Sequence, residues 1–113
     1  MSSRALDAIE RILNRGGDAD DVVRAVVAEL VQEPDIVWAG ILFLENGELA
    51  LGPEAGIADE RRRAHVPVVY EGTPVGELAV DGEAEIAFLQ RIALLVSAHV
   101  LLGWDTGGEG WEP

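Results

Sequence analysis

Apolar residues recur first with helical spacing, then with strand spacing, then with helical spacing again. Leu6, Ile9 and Leu13 fall on one stripe, with Ile12 beside it, which predicts a helix that Gly16 and Gly17 end. Asp18 is placed to cap a second helix, in which Val22, Val23, Val26, Val27, Leu30 and Val31 repeat at helical intervals. Its β-branched content favours a strand. The lack of alternation and the dipole-matched Asp20 and Asp21 decide for helix, which Pro34 stops. The period changes at "DIVWAGILFLENGELALGP", which predicts a strand over 36–44, a turn at Asn46-Gly47 and a shorter second strand. Residues 53–61 read as a loop, and 63–70 with 74–80 as a second hairpin around "EGTP". A long helix follows from Glu83 to about Trp104. The order predicts an α+β fold with an antiparallel sheet, one domain over 1–104 and a Gly-rich tail over 105–113. Strand 36–44 is apolar on both faces, so it is expected to be central and covered on both sides.

Composition narrows the function classes. The 113 residues are 49% hydrophobic, enough for a folded single domain. The net charge of -13 repels phosphate backbones and anionic membranes, so neither nucleic acid nor membrane is an expected partner. All eight basic residues are Arg, and cysteine is absent, which removes disulfides and thiolate chemistry. With two His far apart and no calcium-loop or HExxH spacing, no metal or other cofactor is expected. "MSSRALDAIERIL" is unlike a signal peptide and "IALLVSAHVLLGW" is too short to span a bilayer, so a cytoplasmic protein is expected.

The last helix is apolar nearly all round. Ile86, Phe88, Leu89, Ile92, Ala93, Val96 and Val100 share the broad face that can cover the sheet, while Leu94, Ala98, Leu101 and Leu102 lie opposite. Such a helix needs cover on both sides, either from the N-terminal helices or from a second subunit; homodimerisation through those four residues is the expectation.

Two helices, "VWAGILFLENGELALGPEAG", the hairpin "VPVVYEGTPVGELAVD" and a closing helix resemble a GAF domain, the small-molecule-sensing relative of the PAS fold, over roughly residues 5–102. Gly76 in that hairpin allows a strand to pack closely under helices. Within that superfamily the first segment is most similar to the free methionine-R-sulfoxide reductases, whose cysteine-bearing stretch before the hairpin is missing here. The resemblance places Trp38 on the family's aromatic wall and Asp81 at a substrate-facing carboxylate. It puts Leu42 where the reductases have Tyr, Ala79 at a companion acid and Arg63 at a glutamate. Sulfoxide reduction needs a thiolate, so the chain is expected not to be an enzyme and to have no catalytic residues.

The candidate residues each have two readings. Trp38 and Asp81 either line a cleft for a cationic or amino-bearing ligand, bounded also by Leu42 and Arg63, or serve as core and strand end. The run Arg61-Arg62-Arg63 either binds a carboxylate or phosphate or pairs with Glu54, Asp59 and Glu60. His65 and His99 read as structural, and Trp104 and Trp111 as anchors for the tail. The expected function is a GAF-like sensory or protein-interaction module, homodimeric, that signals to a separate partner protein. The alternative is a small-molecule binding protein with a vestigial pocket.

Overall fold

The structure, a computed structural model, describes residues 3–109, with side-chain surroundings for 4–102. Helices α1 (Ser3–Arg15) and α2 (Ala19–Leu30) precede strands β1 (Ile36–Glu45) and β2 (Glu48–Gly56). A 3₁₀ turn at Glu60–Arg62 leads to β3 (Arg63–Tyr70), β4 (Thr73–Gly82) and α3 (Ile86–Glu109). The four strands form one antiparallel sheet in the order β2-β1-β4-β3. The fold is α+β, as the hydrophobic periods predict.

Both hairpins turn on pairs of residues with positive φ, Asn46 (53°) with Gly47 (80°) and Glu71 (51°) with Gly72 (83°). That geometry matches the right-handed twist of the strands. Helix α2 packs on β1 and β2, α3 crosses β3 and β4, and α1 rests mainly on α2. Ile41, Leu78, Val68, Val80, Leu30, Leu89 and Ile92 are sealed between sheet and helices. Each such side chain contributes about 1.5–3 kcal/mol by leaving water. Arg4 ties α1 to α2 through Glu29 (3.2 Å) and the buried Glu33 (2.8 Å).

Several boundaries differ from the sequence expectation. β2 runs on through Gly56, where a loop was expected from residue 53. Pro53 fits because β2 is an outer strand, whose open side needs no N–H; Pro67 sits likewise in the other outer strand, β3. β1 is central, but helices cover only one of its faces. α3 begins at Ile86, where the Leu89 N–H reaches the Glu85 carbonyl, and passes Trp104 to Glu109, beyond the expected end. The expected anchoring by Trp104 and Trp111 lies outside the described residues.

Two bulges set the register that the site depends on. Leu42 pairs with Leu51 but Gly40 with Glu54, so β2 carries an extra residue at Gly52-Pro53. Val69 pairs with Pro74 but Val68 with Gly76, so β4 carries an extra residue at Val75. Past each bulge, the residues that face one another shift by one position. Gly76 itself lies so close to β1 and α3 that a Cβ would collide with the Leu42 carbonyl and press on Val100.

Candidate functional site

The sheet face turned away from the helices carries the polar chemistry. Trp38, Gly40 and Leu42 alternate onto it from β1, beside Glu54 from β2, Arg63 and His65 from β3, and Glu77, Ala79 and Asp81 from β4. The Trp38 ring lies across Gly40, where a Cβ would stand 2.7 Å from Cζ2 and Cη2. Its indole Nε1–H donates to Glu54 Oε1 at 2.8 Å. The bulge in β2 makes that bond possible, since without it Glu54 would lie opposite Ala39 and face the helices.

Arg63 stacks on the same ring, its Cζ 4.1 Å from the centroid. It grips Asp81 bidentately, Nε to Oδ1 at 2.6 Å and Nη2 to Oδ2 at 2.8 Å. The Asp59 backbone N–H donates to the same Oδ2 at 2.6 Å. Asp81 is fully buried. The Arg63 hydrogen bonds hold its carboxyl below the usual carboxylate range, against the upward push of burial and with help from the Asp59 amide. The same bonds raise the Arg63 guanidinium further above its already high ordinary value.

The connection from β2 to β3 is short and pinned. Ile57 N–H reaches the Val37 carbonyl at 2.9 Å, Asp59 is held by Asp81, and Arg62 N–H closes on the Asp59 carbonyl at 3.0 Å. Beneath this strap lies an open cavity of about 250 Å³. Trp38 and Ala79 lie against it, and Leu42, Leu51 and Ala58 make its apolar side. Glu54, Glu60, Arg63 and His65 supply its polar groups. His65 Nδ1 lies 3.0 Å from Glu77 Oε1.

The structure brings together three of the four predicted ligand residues, Trp38, Leu42 and Arg63, around this cavity. Asp81 stands behind Arg63, with both oxygens occupied, and faces no open space. The arginine run divides: Arg61 is exposed beside Asp59 (3.2 Å), while Arg63 turns inward. Glu54 belongs to the site itself and was expected only as a counterion. On α3, Leu94 and Leu102 are exposed by 67% and 52%, and Ala98 and Leu101 are half-buried. His99 Nδ1 is buried and has no hydrogen-bond partner among the described residues.

No family model and no curated protein matches the chain. Solved structures do. The GAF domain of a phosphoenolpyruvate-protein phosphotransferase from Coxiella burnetii superposes with a TM-score of 0.74 at 14% identity, covering 93% of this chain and 95% of that one. The substrate complex of fRMsr from Staphylococcus aureus gives 0.71 at 16%, over 87% and 94%. The type II free methionine-R-sulfoxide reductase of Thermoplasma acidophilum gives 0.61 at 22%, over 73% and 91%. At these identities the likeness is one of fold, and that fold is GAF-like. The reductases also correct the expectation that the chain is not an enzyme: this scaffold carries catalysis in two of these three neighbours. Lack of cysteine removes one nucleophile and not chemistry in general. Among the described residues no helix is long and apolar enough to cross a membrane.

Proposed function

We propose that this GAF-like chain is a small-molecule-binding sensory module. The supporting observation is the cavity over the open sheet face, which stands empty of side chains beside Trp38 and is walled by polar groups held in fixed positions. A core tryptophan would be enclosed by apolar neighbours. Trp38, only 3% exposed, bonds Glu54, carries a guanidinium and lines the cavity. Calorimetric titration with small amines, carboxylates and neutral aromatics tests the reading. Saturable heat from at least one class is expected, and a folded protein that binds none of them refutes it.

A second element of the proposal is homodimerisation through α3, with the bound state passed to a separate partner protein in the cytoplasm. Leu94 and Leu102 lie in water on a helix whose other face is fully engaged. Sedimentation should give a dimer at tens of micromolar, and a monomer there removes this element.

A further inference from the structure

Resting on the ligand-binding reading, we infer that the cavity selects a small organic cation with an apolar body, an alkyl- or arylalkyl-ammonium or guanidinium compound, over anions, zwitterions and neutral analogues. Four carboxylates, Glu54, Glu60, Glu77 and Asp81, surround one guanidinium and one imidazole here. Asp81 is neutralised by Arg63, and Glu77 is engaged with His65. Glu54 and Glu60 remain, both at the cavity wall. Glu54 is hydrogen-bonded by a neutral indole donor and feels Arg63 only through space. Glu60 is 3.9 Å from an Arg63 that is already committed to Asp81, and its side chain is 81% exposed.

The chain itself displays the recognition chemistry. The Arg63 guanidinium is bound by an aromatic face and a carboxylate together, the combination that suits a desolvated cation. A ligand carboxylate brought into the same space would be repelled by Glu54 and Glu60, against which stands only the Nη1 edge of Arg63, whose Nε and Nη2 are bonded to Asp81. The overall charge of -13 adds long-range attraction for cations and repulsion for anions. The apolar body has its own surface. Leu42 and Leu51 line the cavity, and their register neighbours Leu44 and Leu49 continue the same sheet face outward. Leu51 is 51% exposed and Leu49 42%.

The test uses four probes of nearly one skeleton: 2-phenylethylamine, 3-phenylpropionate, 2-phenylethanol and phenylalanine, titrated calorimetrically into the full chain at low salt. The amine should bind at least about tenfold more tightly than the alcohol, and raising the salt should weaken the amine alone. Glu54→Gln, which keeps an acceptor for the indole, and Glu60→Gln should together remove most of that preference for the amine over the alcohol. Circular dichroism checks that the variant is folded. If the propionate, the amino acid or the alcohol binds as well as the amine, or if the double variant keeps the preference, the charge selection is overturned and the pocket stands. If no probe binds to folded protein, the ligand-binding reading falls and this inference falls with it.

Discussion

Replacing Arg63 by Met removes the partner of a carboxylate that has no contact with water. Methionine fills the volume and can still lie on the Trp38 ring, so the change is one of charge. Asp81 keeps a single donor, the Asp59 amide, of the three it has now. Breaking a buried pair from one side costs about 3–5 kcal/mol. Small domains are stable by about 5–15 kcal/mol, so the variant should remain folded at pH 7 with little margin. The pH dependence separates this cause from lost packing. In the native protein Asp81 titrates below its unfolded value, so its contribution is present above that value and is lost as pH falls through the folded one. In the variant, burial raises the same group above its unfolded value, which turns its charge into a penalty at neutral pH that protonation removes. The gap between the two proteins should therefore be widest at pH 7 and close steadily toward the ordinary carboxylate range. Urea unfolding followed by circular dichroism at pH 7, 5.5 and 4 measures it. Changing Asp81 to Leu in the variant should restore most of the loss. A gap under about 1 kcal/mol at pH 7, or one that does not narrow on acidification, would refute the assignment of a buried pair.

Other substitutions probe the remaining parts. Gly76→Ala should destabilise by at least about 2 kcal/mol, because the new methyl meets the rigid Leu42 carbonyl; near-native melting would show that the two strands can separate. Leu94→Asp with Leu102→Asp should leave helix content unchanged, since both side chains lie in water on the single chain, and should convert the proposed dimer to monomer in sedimentation velocity. Trp38→Phe should cost about 1 kcal/mol, from the lost bond to Glu54, and weaken amine binding; unchanged calorimetry would exclude the indole from the site.

Local signals carried most of the fold and little of the site. The type of turn at Asn46-Gly47, the glycine stop after α1 and the two hydrophobic periods are all decided by residues a few positions apart, although Asp18 stands at the start of α2 without a side-chain capping bond. The assembly of the site is decided by register. Counted back from the Glu71-Gly72 turn, Arg63 would face Val80; the bulge at Val75 moves it opposite Asp81. Pro53 and Gly56 read as loop residues, although an outer strand with a bulge accepts both, and so the partnership of Glu54 with Trp38 stayed hidden. Arg63 and Asp81 each stand out in the sequence as candidate residues. What the sequence concealed is that they satisfy one another, leaving Glu54 and Glu60 to face the cavity.

Pro53 and Pro67 occupy the two margins of the sheet, one in each outer strand. Neither margin offers an unbroken row of donors to a passing chain, so lateral growth into a fibril is obstructed at both ends. A protein that leaves leucines in water beside such margins can stay dissolved at concentrations where a plain β-edge would recruit its neighbours.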